Sequence, residues 1–334
     1  MNTKKILQCG VLFSAGCAAA VMGVRSAKAA SVLYVANYGN GTISEIGPTG
    51  SVSTLASGLY GPYGLAPGAN GSLLFVANGA TNAGLTYNSG GSYSIDAISA
   101  GGGASTTASI PVGTEGPVIN DYAYNAAQPQ ALTVDSAGNL YVALYGGDID
   151  EITPKGTPTT VADIGVNQLP DGLAFGPNGN LYVANFLTNS IDEVDTSSET
   201  VTPFVSLSSA PGPGGLAFDS SGNLYVADWT SNEVEKINSD GSVSPFASFS
   251  SGSEPASLAF GSDGNLYVTL YGDKAVEKVT PSGAVSLFAS GLDGPAGIVA
   301  MPAPIPASFG LVGIGSLALI GGLALRRRMA AKLR

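Results

Sequence analysis

The side chains that could do chemistry in this 334-residue chain are carboxylates, amides and aromatic rings, because it contains no histidine. Without histidine there is no imidazole base, no Ser-His-Asp triad and no histidine-ligated metal. Both cysteines, Cys9 and Cys17, lie in an N-terminal segment that we expect to be removed, so thiolate chemistry is excluded too. What remains is cation binding by carboxylates and the binding of neutral polar ligands by aromatic rings beside amides.

These side chains are carried on a repeat. The stretch Asp171–Asn185 holds two apolar runs joined by a turn with Asn-Gly-Asn, which is typical of a β-hairpin. An aromatic residue marks the second run of each copy: Tyr34, Phe75, Tyr141, Tyr182, Tyr225 and Tyr267. The spacings of 41, 66, 41, 43 and 42 residues indicate a period near 42, which is typical of a four-stranded β-propeller blade.

The two ends of the repeat array complement each other. The first copy begins at 31–36 with its second strand, and a surplus first strand, 294–300, follows the last copy. We expect the surplus strand to complete the N-terminal blade and so remove open sheet edges. The sequence therefore predicts an all-β protein, a six-bladed β-propeller spanning 30–301 and closed by strand 294–300.

The repeat resembles NHL-type repeats and, more broadly, the six-bladed gluconolactonase-like propellers. The matching residues are Pro-x-Gly-Leu-Ala-Phe, Gly-Asn-Leu-Tyr-Val-Ala-Asn/Asp and an Ile-x-x-Ile run, over 31–301. The resemblance implies the propeller fold and no single activity.

Strand direction predicts which residues share a face of the ring. The residue after the proline that opens each first strand should ring the mouth of the central channel: Tyr63, Gln130, Asp171, Gly214, Ala256 and Ala296. Asp171 is the only carboxylate in this ring. The residues just past each second strand should reach the same face, and aromatic rings beside amides suit sugars there, although a single ring could equally pack between blades. We predict a ligand-binding face of Tyr38, Tyr63, Gln130, Tyr145, Asp171, Asn185, Phe186, Asp228, Trp229 and Tyr271.

Two insertions fall on that face. The interval between Phe75 and Tyr141 exceeds the period by 24 residues, which divide between loops at 79–91 and 111–128. Long loops in a regular array are where function concentrates. The turns on the other face carry aspartates, as at 135–139 and 219–223, but they lack the further ligands of a calcium loop. Turn chemistry explains those aspartates better.

The gluconolactonase-like resemblance implies a divalent cation in the channel, held by Glu, Asn and Asp side chains. Here the ring offers Asp171, with Gln130 able to help, and Glu115 lies out of register within an insertion. We therefore favour a binding or scaffold protein without a cofactor. The alternative is a metal-dependent lactonase-like hydrolase in which Asp171 binds a cation such as Ca²⁺. Propellers resembling virginiamycin lyases depend on histidine, so their activity is not implied.

The N-terminal 29 residues are typical of a signal peptide. Lys4 and Lys5 precede an apolar core, and Ala27-Lys28-Ala29 offers a cleavage site. An alternative is acylation at Cys17, whose box lacks the usual leucine.

The C-terminus has three parts. A Pro-rich box at 302–308 precedes an uncharged segment, 309–325, which is long enough for a transmembrane helix, and a basic tail at 326–334 that should stay cytoplasmic. The order resembles a PEP-CTERM sorting signal of the Val-Pro-x-Pro-Ala type. That resemblance implies an exosortase-type processing enzyme as a partner and a location outside the inner membrane or at the cell surface.

Charge narrows the range of partners. Between the terminal segments, four lysines face 24 acidic residues, a net charge near −20. Such a surface repels phosphate backbones, so we expect no nucleic-acid binding. We expect a monomer that binds a polysaccharide or protein ligand on the face with the insertions, the third possibility being a structural matrix protein without a small ligand.

Overall fold

The computed structural model describes residues 30–68, 73–79, 92–111, 115–119, 122–153, 157–207 and 212–303. The predicted signal peptide (1–29), and the sorting box, helix and tail from 304 onward, lie outside the described residues. None of the described segments forms a helix with the length and hydropathy that a membrane span requires.

The described chain is built of short strands. In chain order they are β1 (Ser31–Asn37), β2 (Thr42–Ile46), β3 (Val52–Ser57), β4 (Leu65–Pro67), β5 (Leu73–Asn78), β6 (Ser92–Ser99), β7 (Ala104–Pro111), β8 (Glu115–Ile119), β9 (Tyr122–Asn125), β10 (Pro129–Val134), β11 (Leu140–Leu144), β12 (Asp148–Ile152), β13 (Pro158–Asp163), β14 (Pro170–Phe175), β15 (Leu181–Asn185), β16 (Ser190–Asp195), β17 (Thr200–Ser206), β18 (Pro213–Phe218), β19 (Leu224–Asp228), β20 (Glu233–Ile237), β21 (Val243–Ser248), β22 (Pro255–Phe260), β23 (Leu266–Leu270), β24 (Ala275–Val279), β25 (Val285–Ser290) and β26 (Pro295–Pro302).

Six four-stranded antiparallel sheets form the blades of a propeller, as predicted. Blade 1 has the order β26-β1-β2-β3, blade 2 is β4 to β7, blade 3 is β10 to β13, and blades 4, 5 and 6 follow as β14 to β17, β18 to β21 and β22 to β25. The closing strand pairs antiparallel with β1, with Leu33 opposite Ala300. The prediction that a C-terminal strand completes the N-terminal blade is confirmed, with the strand running two residues further than expected.

The aromatic markers of the repeat pack between blades. The second strands of blades 3 to 6 are buried along their whole length, as in the Leu-Tyr-Val-Ala-Asn run of β15. The Tyr182 ring packs edge-on against Phe218 of the next blade with 5.0 Å between ring centroids. The pair Tyr141 and Phe175 repeats this contact between blades 3 and 4. These contacts explain why an aromatic residue recurs at that position, since it joins one sheet to the next.

A hydroxyl joins the last blade to the first. Thr269 is fully buried where the second strands of the other blades have alanine. Its hydroxyl donates to the carbonyl of Ala296 in blade 1 at 2.8 Å and accepts the Ser257 N–H at 2.9 Å. The seam of the ring is therefore held by side-chain hydrogen bonds as well as by β26.

The two insertions differ in what is described. Part of the 111–128 insertion forms a two-stranded antiparallel hairpin, β8 and β9, between blades 2 and 3. Residues 80–91 of the other insertion lie outside the described residues.

The turns between first and second strands form one face of the ring, which we call the turn face. Asp219 Oδ1 accepts the N–H groups of Ser221 at 2.8 Å and Asn223 at 2.9 Å, and its Oδ2 accepts the Asn223 amide at 2.7 Å. Asp135 makes the same three bonds in its own turn. These carboxylates hold turns together, as the sequence indicated.

Candidate functional site

A β-bulge interrupts the inner strands at the residue after the proline. The ladder between β14 and β15 shifts between Pro170 and Gly172, and the one between β10 and β11 shifts between Pro129 and Ala131. Blades 5, 6 and 1 have the same irregularity. A bulged residue leaves the ladder and its side chain is re-aimed. In these five blades the frame is therefore the same, and only the presented side chain changes.

Glycines let the inner strands approach one another backbone to backbone. A Cβ atom on Gly172 would lie 2.1 Å from the carbonyl oxygen of Gly214, and one on Gly297 would lie 2.3 Å from that of Tyr63. The Gly297 N–H also donates to the Tyr63 carbonyl at 3.0 Å. This close packing between blades fixes where the bulged residues stand around the axis.

The inner strands enclose a channel of about 450 Å³. Tyr63, Gln130 and Asp171 line it at the start of their strands, on adjacent blades 2, 3 and 4. Ala256 and Ala296 line the opposite side, from blades 6 and 1. The phenylalanines that end the inner strands, Phe175, Phe218 and Phe260, line its far end. The channel is therefore polar at one end and apolar at the other. We call the polar end the mouth and its side of the ring the mouth face.

A hydrogen bond across the mouth joins Tyr63 to Asp171. The Tyr63 hydroxyl donates to the Asp171 carboxylate, so the bond spans from blade 2 to blade 4. Burial raises the pKa of Asp171 to about 7, against the lowering effect of that hydrogen bond. Burial and the nearby Asp171 charge hold the pKa of Tyr63 well above its ordinary value. Asp171 is therefore divided between its neutral and charged forms near neutral pH.

Gln130 stands between these two residues, on blade 3. Its side chain is 6% exposed, and its Nε2 has no hydrogen-bond acceptor among the residues that the structure describes. A buried donor without an acceptor is costly, so such groups are rare in folded proteins.

Aromatic rings surround the mouth. Tyr38, which is 44% exposed, packs edge-on against Tyr63 with 6.2 Å between centroids. Trp229 and Tyr271 lie 5.1 Å apart at a tilt of 46°. The charges of Tyr145 and Tyr271 also act on Tyr63, which places both near it.

The position of these rings is set by the backbone. Each follows a second strand, and its N–H donates to the loop that leads into an inner strand, as Trp229 does to Gly212 at 2.9 Å and Phe186 to Leu169 at 2.9 Å. Leu169 itself has a φ of 53°, a conformation that costs a non-glycine residue of order 1 kcal/mol. It immediately precedes Pro170, so the strained turn helps to aim Asp171.

Two members of the predicted ligand-binding set lie inside the blades. Asn185 and Asp228 end second strands and are 0% exposed. Asn185 donates to Asp192 at 2.8 Å, and Asp228 accepts the N–H groups of Thr230 and Ser231 at 3.1 and 3.0 Å. Neither side chain forms part of the mouth surface. The binding role of the other eight residues stays a prediction, and all of those eight lie at or beside the mouth.

Further apolar residues on the mouth face were outside the sequence prediction. Tyr60 and Val166 are exposed large hydrophobic residues in the loops that lead into β4 and β14. The signal that could have found them is an apolar residue in an otherwise polar loop.

The lining residues do not fit a hard cation. Across the described ranges, no three His, Cys, Asp or Glu side chains come close enough to hold a metal ion. Asp171 is the only carboxylate among the described residues that line the channel. A hard cation prefers six or more oxygen ligands, whereas this ring supplies one carboxylate and one amide. The side chain of Glu115, in β8, lies outside the description.

Comparison with known proteins agrees with the fold. A model of the virginiamycin B lyase family matches residues 117–304, more than half of the chain. The chain belongs to the virginiamycin B lyase family. No curated protein sequence matches this family member.

Solved structures show the same propeller at low sequence identity. Virginiamycin B lyase from Staphylococcus aureus is 16% identical over 81% of this chain and 88% of its own, with a TM-score of 0.56. A chain of a nidogen/laminin complex is 17% identical over 81% of this chain and 98% of its own, with a TM-score of 0.62. At these identities the likeness shows the fold alone.

A third similar structure contains a variant of the same lyase. The Staphylococcus aureus lyase with quinupristin is a catalytically inactive variant in which a histidine is replaced by alanine; it is 18% identical over 71% of this chain and 73% of its own, with a TM-score of 0.53. This family member has no histidine in its 334 residues. That imidazole therefore has no counterpart here.

Proposed function

We propose that this chain is a ligand-binding propeller that binds neutral carbohydrate at the mouth of its channel. One observation carries the proposal: Tyr38, Tyr63, Trp229 and Tyr271 gather around Gln130 and Asp171 on the mouth face. Aromatic faces pack on the apolar faces of sugar rings, and the amide and carboxyl groups bind their hydroxyls. The strong negative charge of the chain favours a neutral ligand over an anionic one.

We further propose that the propeller is exported and held at the cell surface. The support is in the sequence: a signal peptide at 1–29, a Pro-rich box at 302–308, an apolar segment at 309–325 and a basic tail at 326–334. These segments resemble a PEP-CTERM signal, so an exosortase-type enzyme would be a partner and an extracellular polysaccharide the ligand. Within the propeller class, the repeat motif resembles NHL and gluconolactonase-like proteins, and we propose a monomer.

The test is retention on insoluble neutral polysaccharide. We expect Trp229→Ala to weaken binding about three- to tenfold, the effect of losing one stacked ring. Leu287→Ala is the matched control, because Leu287 is 62% exposed on the outer strand of blade 6, away from the mouth. Failure of the wild-type protein to bind any neutral polysaccharide would contradict the proposal and favour a structural matrix role.

A metal-dependent lactonase-like hydrolase is the second candidate. The observation in its favour is the raised pKa of Asp171 in a channel, since perturbed carboxyl groups cluster at functional sites. The sparse oxygen ligands around Asp171 speak against it. Calorimetry with Ca²⁺ and Zn²⁺ separates the two, because the hydrolase requires a heat of binding that Asp171→Asn abolishes.

A further inference from the structure

Gln130 differs from the other buried amides of the propeller. Asn78 Nδ2 donates to Asp96 at 3.0 Å, and Asn185 Nδ2 donates to Asp192 at 2.8 Å. In the part of the chain that the structure describes, Gln130 Nε2 is the one buried side-chain nitrogen without an acceptor. The Gln130 amide nitrogen is therefore a buried hydrogen-bond donor whose hydrogens have no acceptor in the described protein.

The bulge places the Gln130 side chain at the wall of the channel. Gln130 occupies the bulge between Pro129 and Ala131, where the side chain leaves the ladder. Its side chain lines the channel between Tyr63 and Asp171. On the opposite side of the ring the bulged residue is Ala256, whose small side chain leaves the space open.

The Gln130 amide and the Asp171 carboxyl group together determine which kind of ligand atom can bind beside them. An amide N–H requires an acceptor atom, which a cation does not provide. Asp171 beside it disfavours an anion whenever it is charged. A neutral oxygen, such as the hydroxyl or ring oxygen of a sugar, satisfies both conditions.

The shape of the channel selects the part of the ligand. Its volume of about 450 Å³ is at the small end of ligand sites, and its far end is lined by Phe175, Phe218 and Phe260. A polysaccharide that lies across the mouth cannot bend into such a narrow channel, whereas the end of a glycan chain can enter it.

We propose that the Gln130 side-chain amide donates a hydrogen bond to an oxygen of the terminal sugar ring of a neutral glycan, which enters the channel at the mouth. The inference rests on the proposed function and sharpens it from a polysaccharide surface to a glycan end. Trp229 and Tyr271 then pack on the sugar rings that remain outside.

The experiment uses calorimetry with neutral hexasaccharides of the malto, cello and laminari series. We expect Gln130→Met and Gln130→Leu, which remove the donor and add no ionisable group, to weaken binding at least about tenfold. Gln130→Met should not lower the melting temperature, because it removes a donor that has no acceptor. Gln168→Met is the matched control on the same face, since Gln168 already accepts a hydrogen bond from Thr188, and it should bind as the wild type does.

A second measurement tests entry of the chain end. The tightest-binding hexasaccharide is blocked with a bulky group at one end and then at the other, and one of the two should lose binding. If both blocked glycans bind as well as the free one, the chain lies across the mouth and the inference is wrong.

The outcomes separate this inference from the proposed function. Binding by the wild type that Gln130→Met and Gln130→Leu leave unchanged overturns the role of Gln130 while carbohydrate binding stands. No binding of any neutral glycan by the wild type overturns both. If Gln130→Met fails to fold, the Gln130→Leu variant decides.

Discussion

The two faces of the ring use polar side chains in opposite ways. On the turn face, Asp219 accepts hydrogen bonds from Ser221, Asn223 and Tyr225. Burial raises the pKa of Asp219, but these hydrogen bonds outweigh it and lower the pKa overall. On the mouth face, Asp171 has one hydroxyl donor, and burial raises its pKa to about 7.

The number of hydrogen-bond partners distinguishes the structural carboxylates of the turn face from the polar groups at the mouth. A carboxylate surrounded by donors holds its turn together and has no capacity left for a ligand. A carboxyl group with one donor and an amide with no acceptor, as at Asp171 and Gln130, cost stability that a bound ligand could return. The polar groups of the mouth face, unlike those of the turn face, therefore have hydrogen-bonding capacity left for a ligand.

The largest effect is expected on the turn face. Asp219→Ala should lower the free energy of unfolding by about 3 kcal/mol, because several donors in one turn lose their acceptor together. Urea denaturation measures it. Asp240→Ala is the control, since Asp240 lies in an exposed turn and accepts its hydrogen bonds there from Ser242. If both variants lost the same free energy of unfolding, the hydrogen bonds of Asp219 would not be what stabilises its turn.

A smaller effect tests Asn185, whose amide nitrogen already has an acceptor. Asn185→Leu should cost about 2 kcal/mol, because it leaves the buried carboxylate of Asp192 without its amide partner. Blade 6 has leucine at this position, so leucine fits the fold. Urea denaturation of the double variant Asn185→Leu, Asp192→Val should show most of the loss recovered. A double variant as unstable as the single one would mean that the hydrogen bond is not the cause.

The smallest effect is a gain in stability, expected when Asp171 is replaced by asparagine. The pKa of Asp171 is raised from 3.8 to about 7, so the folded protein holds a proton that the unfolded chain has released. Stability linked to this group is therefore present at low pH and is lost as the pH rises from about 4 to about 7. Because Asp171 is only half-buried, solvent screens its charge, and we expect Asp171→Asn to stabilise the protein by about 1 kcal/mol near pH 8 and to have no such effect near pH 4. Thermal unfolding at both pH values measures the difference, and a uniform effect would contradict the raised pKa.

Much of the fold was readable from the sequence. The period near 42 residues set the number of blades, and the unmatched strands at the two ends predicted the closure that β26 and β1 form. The family proved to be that of the virginiamycin B lyases, whereas the sequence motif had suggested gluconolactonase-like propellers. The short repeat motif describes a blade, and blades look alike across propeller families.

The site was only partly readable. We predicted that the residue after the proline of each inner strand lies at the channel mouth, and Tyr63, Gln130 and Asp171 do line the channel. The rule of the residue after the second strand worked for Trp229 and Tyr271. For Asn185 and Asp228, which end those strands, it missed that their side chains turn into the blade.

The sequence by itself determined the repeat, the ring closure and the lack of any imidazole, because these depend on residue order and residue type alone. Only the tertiary structure decided that Tyr63 bonds to Asp171, that the amide nitrogen of Asn185 has an acceptor, and that the amide nitrogen of Gln130 has none. The physical reason is the bulge. It adds one residue to the inner strands of blades 3 and 4 and turns that residue out of the strand's alternation, so the side chains of Gln130 and Asp171 reach the channel although the simple alternation of a strand does not predict it.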